Sequence, residues 1–523
     1  MLKEKAISIT LSFLLLLAVF TSPGLSATNP VKPSDYPSLS DREMGHLRWI
    51  VKLANQLPGD WSYMGGLEPG QEWLEAYRYQ LAFMTYALAL AQYHKTPAYR
   101  ELYQKAMDQF IQKMVRGDVW SYWVESSKGG KKMNPALKEK GSGWIDPVVD
   151  KNIMYSGHLI HMVELYRMLY GDRKYDRPAS LVFSWEWLRE ELNRFEYDSN
   201  KLAHVIYNQF ERNSPHAIEC ELNMIFTQCN QHPILGLMLY DANHGTNLSL
   251  VRDAVKKSFL EKKFFNPDTH TFMYFYMVRQ DKVIPAVSPG QDGWTAAFMH
   301  AWDPKFVEEQ YPYQAKIHVK WQPDGTASVP DKTWGSIGAP FFALLAKEVG
   351  DEKTAKGILS WMDKNYAPVW TDGMFRYPRN DAQKVTPLVT NLAAAAEVNV
   401  RNGIYDLHNR PWKDEHFSRP FVCNVEYPKV LVKQAYYDDA KDLLLVTLVP
   451  GGKALQTTSF TVHQLDAPKT YSVLKNGKLA GYIKKGSVQN GKGVKGMQSK
   501  GAGELEISTE LKGPVTFVIK AEG

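Results

Sequence analysis

Three side chains that can exchange protons lie in the middle of the chain. His158 stands in the segment NIMYSGHL, and Cys220 and Cys229 both lie in CELNMIFTQCN. Imidazole and thiol groups act as general acids and bases, and a thiolate is also a nucleophile. Burying a neutral thiol costs less free energy than burying a charged carboxylate. These residues are therefore the first candidates for chemistry in the chain.

The same residues also have structural explanations. A lone histidine on a helix is more often a core residue, and an oxidising compartment would pair two of the 3 cysteines as a disulfide, with Cys423 buried. On one continuous helix, Cys220 and Cys229 would lie on opposite faces. They share a site only if Cys220 lies in a turn before a helix capped by Asn223 and Cys229 lies inside that helix. Buried cysteines, a disulfide and paired working thiols all stay open at this point.

Carboxylates offer a competing site. Asp60, Asp146, Glu221 and Asp292 fall in loops at predicted helix starts. Paired carboxylates there would suit glycoside hydrolysis, although acids at helix starts are often only N-caps. The 14 histidines are dispersed, and the sequence has no HExxH, no CxxC pair and no phosphate-binding glycine loop. We therefore expect neither a metal nor a cofactor.

Amphipathic helices would position these residues. Apolar residues recur at three- and four-residue steps from Ser40 to about Asn402, with short turns between the periodic segments. Twelve helices joined in successive pairs predict a mainly α fold, the (α/α)6 toroid or barrel, in which six outer helices surround six inner ones. The predicted helices span about residues 41–57, 72–93, 97–116, 152–170, 178–195, 224–242, 249–265, 292–302, 304–321, 335–349, 352–365 and 386–402.

The pattern changes to β-strands near the C-terminus. Short runs such as VLVKQAYY, LLLVTLV and TFVIK are separated by Gly, Asn, Asp and Lys turns. They predict a small β-sandwich over residues 425–523 that follows a catalytic domain over residues 35–410. The stretch 484–503 is predicted to be a solvated loop, and TFMYFYMV with the following Val-Ile-Pro a β-hairpin.

The first 27 residues have the pattern of a secretory signal peptide. Lys3 and Lys5 precede an apolar run over residues 7–20, which is too short for a comfortable membrane span, and small residues follow it. We therefore expect a periplasmic or secreted protein without a membrane span after signal removal. The net charge is +6 and the basic residues are scattered among acids, so nucleic acid is not an expected partner.

Five segments resemble the linalool dehydratase/isomerase family, and they extend over about residues 55–315. They are NIMYSGHL, CELNMIFTQCN, LYDANHGTN, GWTAAFMHAWDP and RYQLAFMTYALALA. The resemblance implies an (α/α)6 toroid outside the cytoplasm that acts on a small apolar alcohol or alkene without a cofactor. Such an enzyme removes water from an allylic terpene alcohol or moves its hydroxyl along the allyl system. The resemblance also implies assembly as a homo-oligomeric ring.

The family's acid–base positions correspond to His158, Cys220 and Cys229, and its catalytic aspartate to Asp60. Hydroxide is a poor leaving group, so an acid must protonate it, and a second group must take a proton from the neighbouring carbon. We expect Cys220 with Asp60 to protonate the hydroxyl, and Cys229 with His158 to remove the other proton. Reversed roles and a covalent thioether are the alternatives.

Further correspondences concern substrate binding. Tyr79 matches a polar tyrosine of the family's cavity, and Met154 matches a lining residue. Gly290 stands where the family has a tyrosine, with Asp292 close by as a further binding residue. The loss of a phenol there implies a larger pocket and puts linalool itself in doubt more than the reaction type.

Two other functions stay open. Polysaccharide lyases and glycoside hydrolases also join an (α/α)6 toroid to a β-sandwich, and a fold does not determine chemistry. A non-catalytic binding protein would use the toroid only for its cavity. Sugar processing predicts dependence on Asp60, Asp146 or Asp292 and indifference to Cys220, whereas the alkenol hypothesis predicts the opposite.

Overall fold

A computed structural model describes residues 31–65, 76–131, 134, 136–187, 191–490, 496–501 and 503–522. The predicted signal peptide lies outside these residues and stays a prediction. Within the described ranges, no helix has the length and apolar character needed to cross a membrane.

The α-helices of the described chain lie between residues 41 and 417. In chain order they are α1 (Asp41–Ala54), α2 (Tyr77–Lys95), α3 (Glu101–Met114), α4 (Gly117–Trp120), α5 (Tyr122–Ser126), α6 (Ile153–Tyr170), α7 (Ser199–Arg212), α8 (Gln231–His244), α9 (Val251–Glu261), α10 (Pro289–Met299), α11 (Pro304–His318), α12 (Gly338–Glu348), α13 (Glu352–Asn365), α14 (Leu388–Val398), α15 (Gly403–Asn409) and α16 (Asp414–Phe417).

Six of these helices form a closed ring. In the order α2, α6, α8, α10, α12 and α14, each helix packs against the next, and α14 packs against α2. The helices α1, α3, α7, α9, α11 and α13 alternate with them along the chain and lie outside the ring. Because each outer helix returns the chain to the starting end, the inner helices run in one direction. This arrangement is consistent with the predicted toroid.

Glycines bring two inner helices unusually close together. An added Cβ on Gly157 of α6 would lie 2.6 Å from Cδ of Pro233 in α8, and one on Gly236 of α8 would lie 2.6 Å from Cγ2 of Ile160 in α6. No side chain larger than hydrogen fits at either position without movement. This contact fixes α6, which carries His158, against α8.

One predicted helix is wrong. Residues 178–195 form the larger part of an antiparallel hairpin of strands at 181–187 and 191–197, in which Leu181 and Phe183 are buried and Ser184 is exposed. That alternation has the period of a strand. The missing outer helix is α7, which Asp198 caps through the backbone N–H of Lys201.

The strands include short hairpins between helices and a larger C-terminal group. In chain order they are β1 (Leu181–Trp187), β2 (Glu191–Tyr197), β3 (Met224–Ile225), β4 (Phe265–Asn266), β5 (Thr271–Phe272), β6 (Phe275–Met277), β7 (Lys282–Ile284), β8 (Lys320–Trp321), β9 (Ala327–Ser328), β10 (Val369–Thr371), β11 (Met374–Arg376), β12 (Phe421–Cys423), β13 (Val430–Asp438), β14 (Leu443–Pro450), β15 (Gln456–His463), β16 (Thr470–Lys475), β17 (Lys478–Lys484), β18 (Ser487–Asn490), β19 (Met497–Gly501), β20 (Glu504–Leu511) and β21 (Val515–Ala521). The predicted hairpin of the TFMYFYMV segment is confirmed as β6 and β7.

Two antiparallel sheets make up the C-terminal region. One has the strand order β12-β15-β20-β19, and the other has the order β13-β14-β21-β16-β17-β18. Phe460 of the first sheet packs against Phe517 of the second, with ring centroids 5.2 Å apart, as in the predicted sandwich. The described part of the predicted loop 484–503 is largely strand, since it contains β18 and β19. Its Lys- and Gly-rich composition is typical of edge strands.

Backbone hydrogen bonds join the β-domain to the helical ring. The N–H of Ala98 donates to the carbonyl of Ala435 at 3.0 Å, and the N–H of Val422 donates to the carbonyl of Ala98 at 2.7 Å. The N–H of Leu39 donates to the carbonyl of Lys433 at 2.9 Å. Since main-chain groups of both regions depend on each other, the β-domain is part of the helical domain's support.

The helix α15 lies across the C-terminal end of the ring, against α2, α8 and α12. Glu348, the last residue of α12, is fully buried there. Its carboxylate accepts hydrogen bonds from Asn399 at 3.0 Å, from the N–H groups of Ile404 and Tyr405 at 2.8 and 3.0 Å, and from His300 at 2.9 Å. This end of the ring is therefore covered, and the candidate site lies toward the other end.

Candidate active site

The two thiols meet in the loop between α7 and α8. Cys220 and Cys229 are both free and buried, and they lie close enough for each thiol to affect the ionisation of the other. The loop reverses at Asn223, whose φ is 68°, so that the N–H of Cys220 donates to the carbonyl of Met224 at 2.9 Å. Asn223 is therefore a turn residue and not the predicted helix cap. Among the described residues, the alternative disulfide is absent.

Asn230 fixes both ends of this loop. Its side-chain oxygen accepts from the N–H of Ile218 at 2.8 Å, and its amide nitrogen donates to the carbonyls of Ile218 at 3.1 Å and Phe226 at 2.9 Å. Asn230 is also the N-cap of α8, so Cys229 lies just before the helix and not inside it as predicted. A helix N-terminus stabilises negative charge, and a thiolate there gains from it.

A buried guanidinium lies near enough to the thiols to affect their ionisation. Arg78, the second residue of α2, is 1% exposed. Its guanidinium carbon lies 4.4 Å from the ring centroid of Tyr79 and 4.1 Å from that of Tyr122, and Nη2 donates to the Tyr79 hydroxyl at 3.2 Å. Burial alone would lower the pKa of Arg78, but Tyr122, Tyr79 and Cys220 raise it. The side chain is therefore charged, and two phenol rings enclose it.

Burial raises the pKa of both thiols. It holds the pKa of Cys220 well above its usual value; Cys229 and Glu221 raise it further, while Arg78 lowers it. Burial and Glu221 also raise the pKa of Cys229, whereas Cys220 and the charge of Arg78 lower it. Both groups are therefore neutral thiols at rest.

Tyr79 connects the thiols to the predicted histidine. Electrostatic effects of Cys220 and Cys229 reach its hydroxyl, and its ring centroid lies 6.1 Å from that of His158. In the described structure neither nitrogen of His158 is hydrogen-bonded to a thiol. Tyr79 therefore lies within electrostatic reach of both thiols, and its ring also packs against the ring of His158.

His158 is fully buried and bonded to a second tyrosine. Its Nδ1 lies 2.7 Å from the hydroxyl of Tyr86, while Nε2 has no hydrogen-bond partner among the described residues. Burial lowers the pKa of His158 well below its usual value, and His161 and Arg78 lower it further. The imidazole is therefore neutral, with Nε2 ready to bind a polar group of a ligand.

Aromatic side chains of the inner helices surround these groups. The Trp294 indole N–H donates to His232 Nε2 at 2.8 Å, and its ring stacks on Phe341 with centroids 4.5 Å apart. His232 lies against His158 with ring centroids 4.1 Å apart. Within the described ranges, no group of three or more His, Cys, Asp or Glu side chains is arranged to hold a metal ion.

Gln291 of α10 holds the segment that precedes Cys229. Its amide nitrogen donates to Thr227 Oγ1 at 2.9 Å and to Gln228 Oε1 at 2.6 Å. Its amide oxygen accepts from the indole of Trp334 at 3.2 Å. All of these groups are buried, so the position of Cys229 depends on α10 as well as on its own loop.

The profile of the linalool dehydratase/isomerase family matches residues 78–383. This span covers more than half of the 523 residues and includes Arg78, His158 and both thiols. The chain belongs to the linalool dehydratase/isomerase family. The resemblance of the five segments is therefore confirmed, while the C-terminal β-domain lies outside the matched residues.

Solved structures resemble this family member only distantly. An α-1,6-mannanase from a Salegentibacter species, bound to α-1,6-mannotriose, is 10% identical, with a TM-score of 0.41 over 70% of this chain and 99% of that one. An α-amylase from Clostridium perfringens is 9% identical, with a TM-score of 0.43 over 69% and 99%. An unsaturated glucuronyl hydrolase specific for heparin is 10% identical, with a TM-score of 0.42 over 71% and 97%. Similarity at this level carries no conclusion about substrate.

The candidate catalytic aspartate of the family, Asp60, is not in contact with the thiols. It lies half-exposed in the loop after α1 and accepts hydrogen bonds from the N–H of Ser62 at 2.9 Å and the hydroxyl of Ser62 at 2.6 Å. These bonds lower the pKa of Asp60. Its catalytic role stays a prediction, as does the lining role of Met154, which is buried one turn before His158.

Asp292 has a structural position instead of the predicted binding position. Its carboxylate accepts from the N–H of Phe272 at 2.7 Å and pairs with Nε2 of His318 at 2.6 Å. His318 belongs to the outer helix α11, so Asp292 faces away from the centre of the ring. Burial raises the pKa of Asp292, while the contact with His318 lowers it.

The expected enlargement of the pocket at Gly290 is not seen. Its N–H donates to Asp331 Oδ2 at 2.7 Å, and an added Cβ would lie 2.7 Å from the same oxygen and 3.0 Å from Cβ of Trp334. Asp331 and Trp334 therefore occupy the space that the missing phenol would leave.

The carboxylates of the competing hypothesis are not assembled into one site. Asp146 accepts from the Tyr197 hydroxyl at 2.7 Å and from the N–H of Val148 at 2.9 Å, while Asp60 and Asp292 have the separate partners described above. Glu221 is the member of that set that lies near the thiols, where it affects the ionisation of Cys229. Glu221 lies near the thiols because the chain turns at Asn223. The sequence spacing of the carboxylates did not indicate this turn.

Sequence reasoning missed Arg78, Tyr122 and His232. Arg78 and Tyr122 are separated by 44 positions, and only the packed structure brings them together. A signal for Arg78 was present, because a charged residue directly before Tyr79 is unusual in an otherwise apolar helix. His232 was one of many dispersed histidines and carried no distinguishing pattern.

Proposed function

We propose that the protein is a lyase or isomerase that removes water from an unsaturated, terpene-like alcohol, or moves its hydroxyl, by cofactor-free acid–base catalysis. The observation that carries this proposal is the pair of free, buried thiols, Cys220 and Cys229, within the residues that match the family. Two neutral thiols in a buried aromatic setting suit proton exchange with an apolar alcohol.

The thiol pair can supply one proton and recover another. Cys229, which directly precedes the N-cap of α8, gives its proton to the hydroxyl as the C–O bond breaks, and water leaves. The S–H of Cys220 stabilises the resulting thiolate. That thiolate then takes a proton from the neighbouring carbon, and the C–H electrons form the new double bond. The pair ends with two protons again, so the cycle balances.

Aromatic rings and a polar nitrogen complete the proposed site. The rings of Phe83 and Phe341, with Trp294, offer π-faces to the positive charge that develops on the allyl carbons. His158 Nε2 is placed to bind the hydroxyl or the departing water. In an isomerisation, that water returns to the other end of the allyl system.

Headspace gas chromatography with a panel of tertiary and primary allylic alcohols tests this function. We expect hydrocarbon or isomeric alcohol from the parent protein, and a loss of about a hundredfold or more in Cys220→Ala and Cys229→Ala. Cys423→Ala is the matched control, because this half-buried thiol lies in β12 of the β-domain. Full activity of Cys229→Ala, or release of unsaturated sugars by a parent protein that leaves the alcohols unchanged, would contradict the proposal.

We further infer export to the periplasm or medium and assembly into a homo-oligomeric ring, as the signal pattern and the family imply. Cell fractionation with an antibody to the protein tests the location. Light scattering of the purified protein tests the assembly. A cytoplasmic or monomeric protein would contradict these inferences and leave the chemistry unaffected.

A further inference from the structure

The two cysteines of the candidate site are held by different elements. The N–H of Cys220 donates to the carbonyl of Met224 at 2.9 Å, and Met224 in β3 pairs with Met277 in β6. The strand β6 in turn pairs with β7, so the turn that follows Cys220 belongs to a small three-stranded sheet. Cys229, by contrast, directly precedes the N-cap of α8. The position of Cys220 therefore depends on the β6–β7 hairpin.

Asn223 is the residue at which this turn is bonded to the hairpin. Its carbonyl accepts from the N–H of Val278 at 3.2 Å, and its Oδ1 accepts from the N–H of Arg279 at 2.6 Å. Its Nδ2 donates to Oε1 of Gln280 at 2.8 Å. Three consecutive residues of the hairpin thus bind one asparagine, and two of these bonds use its side chain.

The same residue is also connected to the start of α6. The N–H of Asn223 donates to Oε1 of Glu219 at 2.7 Å, and the carboxylate of Glu219 pairs with Lys151. The carbonyl of Glu219 accepts from the N–H of Ile153, the first residue of α6, at 3.3 Å. Asn223 therefore joins the loop of Cys220, the hairpin and the beginning of the helix that carries the site's histidine.

The conformation and burial of Asn223 restrict which residues can replace it. Its φ of 68° lies in the left-handed region, which asparagine, aspartate and glycine tolerate better than other residues. The side chain is 1% exposed, so its amide depends on the hairpin for hydrogen-bond partners. A glycine would keep the turn and lose both side-chain bonds.

We propose that Asn223 is a positioning residue of the site, which holds Cys220 in place by bonding its turn to the β6–β7 hairpin. When the side-chain bonds are lost, the turn opens locally and Cys220 moves, while Cys229 stays fixed at α8. The catalytic consequence rests on the proposed function, whereas the effect on Cys220 does not.

Alkylation of the folded protein by iodoacetamide measures this effect without any substrate. Cleavage with chymotrypsin after Phe226 separates the two cysteines, so mass spectrometry follows each one alone. In Asn223→Gly we expect Cys220 to react about tenfold faster, because each lost hydrogen bond favours opening of the turn. Cys229 should react at the parent rate, which makes it an internal control.

The conservative variant Asn223→Asp should restore the parent behaviour. Its carboxylate still accepts from the N–H of Arg279, and the amide of Gln280 can turn over to donate to the other oxygen. We expect Cys220 to react within about twofold of the parent rate, since both bonds to the hairpin are kept.

A matched control is Asn476→Gly in the β-domain. Asn476 also has a positive φ, of 49°, and its Oδ1 also accepts a backbone N–H, from Thr516 at 2.8 Å. This change should leave both Cys220 and Cys229 at their parent rates. An effect equal to that of Asn223→Gly would overturn the proposal, because the hairpin would then have no special role.

A second variant leaves Asn223 in place and changes an exposed side chain, so it does not threaten folding. Gln280→Ala removes one of the two side-chain bonds, and we expect Cys220 to react about threefold faster with Cys229 unchanged.

Two results would contradict the role of Asn223. An unchanged rate at Cys220 in both Asn223→Gly and Gln280→Ala would mean that these bonds do not hold Cys220. Equal acceleration of Cys220 and Cys229 would mean that the whole site loosens and that no single cysteine is positioned. Since no reading uses an alcohol, failure of the dehydratase assay leaves these results interpretable.

Discussion

At the scale of single residues, one phenolic proton controls the state of His158. The hydroxyl of Tyr86 has one hydrogen, and its ring lies among Phe83, Phe298 and the histidines. When that hydrogen is donated to Nδ1, the neutral imidazole carries its own proton on Nε2. In the proposed reaction His158 then binds the hydroxyl of the substrate as a donor, which differs from the base role expected from the sequence.

Replacement of Tyr86 by Phe tests this interaction. It removes the hydroxyl and keeps the ring. We expect turnover to fall about tenfold, because without this hydroxyl the imidazole proton is no longer held on Nε2. The measurement is kcat on an accepted alcohol. Tyr103→Phe is the control, since its buried hydroxyl is bonded to Thr96 at 2.8 Å on the outer helix α3. Equal losses in both variants would mean that the hydroxyl only supports packing.

How far the sequence predicted the site depends on the kind of signal. His158 and the two cysteines stood in segments that resemble the family, so their neighbourhood was expected. Asp292 was placed in the pocket because it follows Gly290, but its helical phase directs it to the outer helix α11. Arg78 packs against the ring of Tyr122, which is distant in sequence. The sequence pattern alone could not predict that contact.

At the scale of elements, the packing of α6 on α8 decides where His158 lies. Gly157 precedes His158, and the place of its missing side chain is taken by Pro233 of the facing helix. His158 and His232 are consequently held with their ring centroids 4.1 Å apart and their ring planes tilted by 39°. A change in the spacing of these two helices therefore changes the site directly.

Gly157→Ala should be destabilising. The added methyl group would lie 2.6 Å from Cδ of Pro233, and relief of such overpacking typically costs about 1–3 kcal/mol of unfolding free energy. We also expect lower turnover, because α6 must shift with His158. Urea denaturation measures the first effect. Gly452→Ala, on a loop with nothing within 4 Å of the added methyl, is the control. A variant as stable as the parent would mean that the helices separate without strain.

The elements themselves were predicted unevenly. Helices with a strong three- and four-residue repeat, such as α2 and α6, were placed within a few residues of their observed bounds. The segment 178–195 was assigned to a helix although Leu181 and Phe183 alternate with more exposed residues. Short strands such as β3 and β8 depend on partners elsewhere in the chain, so no local pattern indicates them.

At the scale of the whole molecule, the centre of the ring contains neutral histidines. Burial lowers the pKa of His158, His161 and His232 well below the usual value, and it lowers that of His408 to about 4. In the unfolded chain these groups titrate near pH 6.5. Between those values the unfolded state binds more protons, so stability is complete above about pH 6.5 and is lost as the pH falls toward 4.

This linkage predicts a steep decline of the unfolding free energy in mild acid. Each such histidine contributes a slope of up to roughly 1.4 kcal/mol per pH unit. Urea titrations at pH 7, 6, 5 and 4.5 measure it, and His408→Gln should reduce the slope by about one histidine's share. His204→Gln is the control, because this histidine is exposed on α7. A slope unaffected by His408→Gln would mean that this residue is protonated in the folded protein.

Because α15 covers the C-terminal end of the ring, it limits the routes by which small molecules can reach and leave the candidate site. Because the bonds around Glu348 cover that end of the ring, the alcohol, hydrocarbon and water of the proposed reaction would all pass through the opposite end. A product molecule that has not yet left this end of the ring delays the entry of the next substrate molecule. Accumulating hydrocarbon should therefore inhibit turnover. Water that has not yet left the site can add back to the hydrocarbon, so the reverse reaction competes with product release.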